Sequence, residues 1–188
     1  SSLMANPYNK RAYKCYTPGI NINDATPADE TQCYGAAAIG DGAFLHLDDH
    51  VNGISSIARL GSAIPRTYIL KITDAGGKTV SQWSQPKGTQ VVRPDAAYII
   101  NDMASDANAS YLPAGYYKFH NQKNGWKFAV KTGTTNNNFD GLMTSWSTKY
   151  AVVTWVGNHT RNVELRNTTM EVLTAPLAKG WMEYAHKD

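Results

Sequence analysis

The segment at residues 149–158, Lys-Tyr-Ala-Val-Val-Thr-Trp-Val-Gly-Asn, constrains the fold more than any other part of the chain. Successive side chains of a β-strand point to opposite faces of its sheet. Apolar residues occupy both faces here, with Tyr150, Val152 and Val156 on one and Ala151, Val153 and Trp155 on the other. A strand that is apolar on both faces needs cover on both sides. The sequence therefore predicts a central strand of a sheet.

The end of the chain predicts a helix over residues 168–184. Large apolar side chains recur there at the three- and four-residue steps of one helix face, at Met170, Leu173, Leu177, Trp181 and Tyr184. Pro176 lies inside this segment and is expected to kink or split the helix. We expect this face to pack on the sheet.

A second strand, near residues 126–134, runs from apolar sequence into Lys131-Thr132-Gly133-Thr134-Thr135. A strand edge of this kind offers main-chain groups to an extended peptide, and Gly133 permits close approach of a ligand backbone. The positive charge of Lys131 and the hydroxyls of the threonines suit a carboxylate. Taken alone, the Lys-Thr-Gly tripeptide is better explained as the end of an ordinary surface strand, and it is the flanking segments that favour a binding site.

The remaining segments complete an α+β prediction. Residues 68–80 read as a hairpin around a Gly-Gly turn, and residues 136–141 as a polar turn. Asp140 is expected to orient a turn amide, with Lys131 as the alternative. Pro94 and Asp95 mark a helix start, followed by an apolar face at Ala97, Ile100 and Met103. The predicted fold is an antiparallel sheet packed by the C-terminal helix, with a helical part from residues 36–60 and 94–108.

These parts, in this order, resemble the C-terminal portion of the transpeptidase domain of class A penicillin-binding proteins. In that family a Lys-Thr-Gly-Thr-Thr strand, often followed by Asn, pairs with a strand ending Trp-Val-Gly-Asn. The matching residues are 131–136 and 155–158. Residues 35–61 resemble the family's Gly-rich approach to a helix, followed by a turn at residues 61–65. The resemblance covers roughly residues 34–184.

The resemblance implies part of a serine-type peptidoglycan D,D-transpeptidase that cross-links stem peptides, binds β-lactams and needs no cofactor. It gives catalytic roles to Lys131 and Thr134, and substrate-binding roles to Thr132, Gly133, Thr134 and Thr135. Lys131 would assist electrostatically and in proton handling, while the hydroxyls of Thr132 and Thr134 would hold the terminal carboxylate. The backbone N–H of Thr134 would supply one oxyanion donor.

The family's Ser-x-x-Lys and Ser-x-Asn motifs are expected to lie outside this chain, on its N-terminal side. Ser145 and Ser147 do not stand three residues before Lys149, and Ser105-Asp106-Ala107-Asn108 has one residue too many. The missing N-terminal part of the same protein is thus an expected partner. The alternative is a non-catalytic penicillin-binding-like module that binds wall peptides or a partner protein. An unrelated sheet-rich adhesin domain would leave the ordered matches unexplained.

Two domains are expected, a polar loop-rich segment at residues 1–34 and the transpeptidase part at residues 35–188. The resemblance places the protein outside the cytoplasmic membrane, on a parent that is membrane-anchored. In such a compartment Cys15 and Cys33 could form a disulfide, with two reduced thiols as the alternative.

The chain gives little support to other ligand classes. A net charge of +3, with scattered Lys and Arg, does not favour nucleic-acid binding. No metal site is predicted, although His46 and His50, with Asp48 and Asp49, could in principle hold one. An aromatic cluster at Tyr111, Tyr116, Tyr117 and Phe119 could stack sugars, but a packed loop or strand is the simpler interpretation.

Overall fold

The computed structural model describes residues 46–113, 118–135, 138–158, 164–165 and 170–187. In chain order its elements are α1 (Leu47–Ala58), β1 (Ser62–Ala63), β2 (Lys71–Thr73), β3 (Thr79–Gln82), β4 (Thr89–Gln90), α2 (Pro94–Ser105), β5 (Ala129–Thr134), β6 (Asp140–Trp146), β7 (Ala151–Gly157) and α3 (Met170–Ala185). The mixture of helices and antiparallel sheets confirms the α+β fold class. The predicted segment at residues 1–34, with Cys15 and Cys33, lies outside the described residues.

Helix α1 ends in a Schellman motif, which sets the direction of the following chain. The N–H of Leu60 donates to the carbonyl of Ile57 at 3.0 Å, and the N–H of Gly61 donates to the carbonyl of Ser56 at 2.7 Å. Gly61 has a φ of 86°, and a Cβ there would lie 2.1 Å from the carbonyl oxygen of Val92. Only glycine fits this turn, from which β1 runs on to pair with β4.

The predicted hairpin is confirmed, with β2 and β3 antiparallel. Asp74 closes its turn, because one carboxylate oxygen accepts the N–H groups of Gly76 and Lys78, each at 2.9 Å. Gly77 provides the left-handed residue, with a φ of 82°.

The main sheet has the order β5-β6-β7 and is antiparallel throughout. Strand β6 was not predicted: the polar turn expected at residues 136–141 gives way to a strand at Asp140. The Lys-Thr-Gly strand therefore pairs with β6, and the prediction that it pairs with the Trp-Val-Gly-Asn strand is wrong. Strand β7 lies at the edge of the described sheet, although α1 and α3 both contact it.

The core lies between this sheet and α3. Its buried apolar residues are Leu112, Phe119, Phe128, Val130, Met143, Ala175, Ala178 and Met182. Helix α3 continues through Pro176, so the proline does not split it. The predicted buried face is wrong, because Leu177 and Tyr184 are exposed while Ala175 and Ala178 are buried. The face of α3 that packs in the core carries Ala175, Ala178 and Met182.

Helix α2 also turns a different face inward from the predicted one. Ala97 is buried as expected, whereas Ile100 and Met103 are exposed. The helix is oriented by Asn101, whose amide donates to the carbonyl of Ile57 at 2.9 Å and accepts the indole N–H of Trp146 at 2.7 Å. These polar bonds tie α2 to both α1 and β6. Among the described residues, no helix is long and apolar enough to cross a membrane.

Candidate active site

Strand β5 presents the predicted site residues at an edge of the sheet. It pairs with β6 on one side and, within the described residues, with no strand on the other. Lys131 and Thr134 are exposed, and Thr132, Gly133 and Thr135 are half-buried. Because successive side chains of a strand alternate between the two faces of its sheet, Lys131 points to one face. Thr132 and Thr134 point to the other face, on which Val130 packs in the core. A ligand that contacts both sets must therefore lie along the free edge of β5.

Two polar side chains converge on Thr132. The ammonium group of Lys131 donates to the Thr132 carbonyl at 2.7 Å. The hydroxyl of Thr132 is hydrogen-bonded to the phenol hydroxyl of Tyr111. The middle of the edge strand thus carries one cation and two hydroxyls, the groups that bind a carboxylate.

Gly133 is not required by the sheet itself. A Cβ added there would lie 3.4 Å from Cβ of Leu142, an ordinary van der Waals contact. Its backbone is not in the left-handed region that favours glycine. The role predicted for Gly133 therefore concerns the approach of a ligand.

The end of β5 is fixed by a polar cluster around Asp140. The carboxylate accepts the hydroxyl of Thr135 at 3.0 Å and the indole N–H of Trp155 at 3.0 Å. The backbone N–H of Asp140 in turn donates to the Thr135 hydroxyl at 2.8 Å. Asp140 is only 7% exposed, so these bonds satisfy a buried polar group. Thr135, predicted to bind substrate, is thus engaged in holding the turn between β5 and β6.

A buried layer lies behind Lys131 on the same face of the sheet. Thr144 is the cross-strand partner of Lys131, and its hydroxyl lies 3.3 Å from Nε2 of His50 on α1. Burial lowers the pKa of His50, which favours the neutral imidazole. A neutral ring adds no positive charge on the side of the sheet to which Lys131 points.

Two buried serines near the sheet have structural roles. The hydroxyl of Ser145 donates to the carbonyl of Ala129 at 3.0 Å. Ser147 lies 2.8 Å from Nε2 of His186, whose Nδ1 lies 2.7 Å from the carbonyl of Met182. This Ser–His pair resembles an activated nucleophile, but both residues are buried, and the serine oxygen also accepts the N–H groups of Lys149 and Tyr150. It closes the β6–β7 turn onto the end of α3.

One Ser-x-x-Lys spacing does occur in the chain, at Ser84 and Lys87, in addition to the serines near Lys149 considered above. Both residues are exposed in the irregular segment between β3 and β4, and Pro86 lies between them. On a helix, residues three apart are neighbours on one face, which brings a lysine to its serine. Irregular backbone does not impose that proximity.

The two aspartates considered for a metal site, Asp48 and Asp49, form ion pairs instead. Arg66 forms ion pairs with Asp48 and, at 2.7 Å, with Asp49. The hydroxyl of Tyr68 donates to Asp48 at 2.8 Å, and this bond lowers the pKa of Asp48 together with the charge of Arg66. No group of three or more metal-ligating side chains occurs among the described residues.

Comparison with known proteins places this geometry in a family. No family model matches the chain. Two proteins named penicillin-binding protein 1A, from two strains of Clostridium perfringens, are 32% identical over 139 residues and 31% identical over 137 residues. Each alignment covers 73% of this chain, but 15% and 18% of the relatives, respectively. The chain thus spans less than a fifth of the length of these relatives.

Solved structures show the same fold. Penicillin-binding protein 1A from Haemophilus influenzae superposes with a TM-score of 0.72 at 16% identity, over 85% of this chain and 29% of that one. PonA1 from Mycobacterium tuberculosis superposes with a TM-score of 0.69 at 21% identity, over 94% of this chain and 47% of that one. Penicillin-binding protein A from M. tuberculosis, solved as an imipenem acyl-enzyme complex, superposes with a TM-score of 0.63 at 16% identity, over 84% of this chain and 35% of that one.

The sheet, its exposed Lys-Thr-Gly strand and the helix behind it define part of a penicillin-binding fold. Within that class, the chain belongs to the class A penicillin-binding proteins and corresponds to the C-terminal part of their transpeptidase domain.

Proposed function

We propose that this chain forms the carboxylate- and oxyanion-binding wall of a peptidoglycan D,D-transpeptidase, whose nucleophilic serine lies outside this sequence. The protein would work on the outer side of the cytoplasmic membrane, on stem peptides, and would be acylated by β-lactams. The observation that carries the proposal is the free edge of β5, where exposed Lys131 and Thr134 flank Thr132 and Gly133.

The chemistry follows from what this edge can donate. The serine oxygen would attack the D-alanyl-D-alanine carbonyl, the C–N bond would break, and the departing D-alanine would take up a proton. An acceptor amine would then displace the serine and form the cross-link. The N–H of Thr134 would donate to the developing oxyanion, a contribution of about 3 kcal/mol where such donors have been removed in other enzymes.

The lysine and the hydroxyls would fix the other end of the substrate. A terminal carboxylate along the β5 edge can reach the ammonium of Lys131 and the hydroxyls of Thr132 and Thr134. Hydrogen bonds to a charged group are worth about 1.5 to 3 kcal/mol each. Lys131 would have to release the Thr132 carbonyl to reach the ligand.

Fluorescent penicillin labelling tests the proposal. The chain described by this sequence should remain unlabelled, because Ser145 and Ser147 are buried and Ser84 and Lys87 sit in irregular backbone. The full-length gene product should be labelled at a serine outside the sequence. A Ser84→Ala variant of the full-length protein should label as the parent does.

The non-catalytic alternative predicts a different pattern. In a binding-only module, the full-length protein would also remain unlabelled while still binding stem peptide. Labelling of Ser84 in either protein would contradict the assignment of the nucleophile.

A further inference from the structure

Tyr111 is an exposed aromatic residue held in a fixed place beside β5. Its side chain is 72% exposed, whereas the next residue, Leu112, is 4% exposed and belongs to the main core. The N–H of Leu112 donates to the hydroxyl of Ser110 at 3.3 Å, which closes a short turn at this point. The core thus anchors the backbone, and the phenol ring projects outward at the edge strand.

The phenol hydroxyl reaches the hydroxyl of Thr132. In a pair of hydroxyls one donates and the other accepts, so the pair keeps one hydrogen free to donate elsewhere. A carboxylate accepts only, on two oxygens, and charge-assisted hydrogen bonds are about twice as strong as neutral ones. An arriving carboxylate therefore gains by taking both hydroxyl hydrogens in place of the single bond between the hydroxyls.

We infer that Tyr111 is a further ligand-binding residue of this edge, and that its hydroxyl and that of Thr132 together donate to the carboxylate of the ligand. This inference rests on the proposed function, because it takes the ligand to be a β-lactam or a stem peptide with a free terminal carboxylate. The structure separates Tyr111 from Phe119 of the same aromatic cluster, since Phe119 is 2% exposed and packs in the core. Of these two residues, Tyr111 is the one available to a ligand, and the other cluster members, Tyr116 and Tyr117, lie outside the described residues.

The second-order rate constant for acylation of the full-length protein by a fluorescent penicillin tests this role. Tyr111→Phe removes the hydroxyl and keeps the ring, and we expect it to lower the rate constant by about tenfold, the effect of one lost charge-assisted bond. Tyr98→Phe, on the exposed side of α2, is the matched control and should act as the parent. The thermal midpoint of Tyr111→Phe should equal that of the parent, because the ring is exposed.

The methyl ester of the same penicillin separates carboxylate recognition from other roles. Tyr111→Phe should slow acylation by the acid and leave the ester unaffected. In the double variant of Tyr111→Phe with Thr132→Val, the acylation rate constant for the acid should fall by less than the product of the two single-variant fold losses. The reason is that the two hydroxyls donate to one ligand group. The inference would be overturned if Tyr111→Phe reacted with the acid as fast as the parent does, or faster. Equal losses of rate with the acid and with the ester would also overturn it.

A protein that is not acylated at all contradicts the proposed function and still leaves Tyr111 testable. Calorimetric titration with diacetyl-L-lysyl-D-alanyl-D-alanine and with its C-terminal amide measures carboxylate recognition directly. The parent should prefer the acid, and Tyr111→Phe should lose about tenfold in affinity for the acid alone. No preference for the acid in the parent, or an unchanged preference in Tyr111→Phe, would overturn the inference.

Discussion

The indole of Trp155 lies across the α-carbon of Gly157 and donates to the carboxylate of Asp140 at 3.0 Å. The three residues share one face of the sheet, since Asp140 pairs with Gly157 and Leu142 pairs with Trp155. A Cβ at position 157 would lie 2.6 Å from the indole ring and 2.7 Å from the carboxylate. Because Gly157 has no side chain, the indole of Trp155 has room to reach Asp140 at the turn that ends the Lys-Thr-Gly strand.

Gly157→Ala should destabilise the fold by about 1 to 3 kcal/mol, the usual range for forcing an extra methyl group into a packed site. The displaced indole would release Asp140, which in turn holds Thr135. Chemical denaturation of the full-length protein measures the loss. Gly180→Ala in α3 is the matched control, because nothing lies within 4 Å of a Cβ there. It should be neutral or stabilise by about 0.5 to 1 kcal/mol; equal effects of both substitutions would contradict the packing role of Gly157.

Acid should destabilise the fold through two histidines. Burial and then the charge of Lys118 lower the pKa of His120, against an opposing effect of Asp106, and burial lowers the pKa of His50. Histidine has a pKa of about 6.5 in the unfolded chain, so below that pH the unfolded chain binds more protons than the folded one. The free energy of unfolding therefore decreases as the pH decreases, until the pH reaches the lowered pKa of the folded state. Within the described part of the chain, Nδ1 of His120 has no hydrogen-bond partner.

Denaturation midpoints between pH 7.5 and pH 5.5 measure this dependence. The parent should lose stability across this range, and His120→Leu should lose less. The double variant with His50→Leu should lose less still. A parent whose stability is unchanged or increases on acidification would contradict the assigned directions.

The isolated chain should associate or bind a partner through an apolar surface on α3. Leu177, Trp181 and Tyr184 are 51%, 43% and 70% exposed, at steps that place them on one helix face. The ring of Tyr150 extends this surface, 5.8 Å from the ring of Trp181. Contiguous exposed apolar surface of this kind marks an interaction site. We expect the partner to be the rest of the same protein.

Sedimentation and a hydrophobic dye test this expectation. The isolated chain should sediment as associated species and bind the dye. Leu177→Gln with Trp181→Gln should reduce both signals, whereas Val80→Gln, on the exposed hairpin, is the control. A compact monomer that binds no dye would contradict it.

Hydrophobic periodicity predicted helices α2 and α3 but not which of their faces are buried. Residues 168–184 were predicted as a helix, and α3 is one, yet two stripes of that helix are apolar enough to pack. The buried stripe carries Ala175, Ala178 and Met182. Which of the two stripes packs on the sheet is decided by tertiary contacts, which spacing cannot reveal. In α2 the deciding residue is Asn101, whose polar bonds to Ile57 and Trp146 outweigh the apolar stripe at Ile100 and Met103.

Strand β6 escaped prediction because its polar residues find partners only in the folded sheet. Ser145 bonds to the carbonyl of Ala129, and Thr144 lies against His50. From the sequence, a polar turn was predicted at residues 136–141, and residues 142–148 were assigned to no element. The site residues themselves, Lys131 to Thr135, were recognisable as a motif, whereas the contact of Tyr111 with Thr132 depends on residues 21 positions apart.

The central claim is that the β5 edge is one wall of an acyl-transfer site, and the acylation rate of Thr134→Val tests it most directly. In the full-length protein, loss of this hydroxyl should slow acylation by fluorescent penicillin by roughly one to two orders of magnitude, since a hydrogen bond to a charged group is worth about 1.5 to 3 kcal/mol. Thr79→Val, at an exposed position of β3, is the matched control and should react as the parent does. Acylation of Thr134→Val at the parental rate would contradict the claim and remove residues 131–135 from the active site.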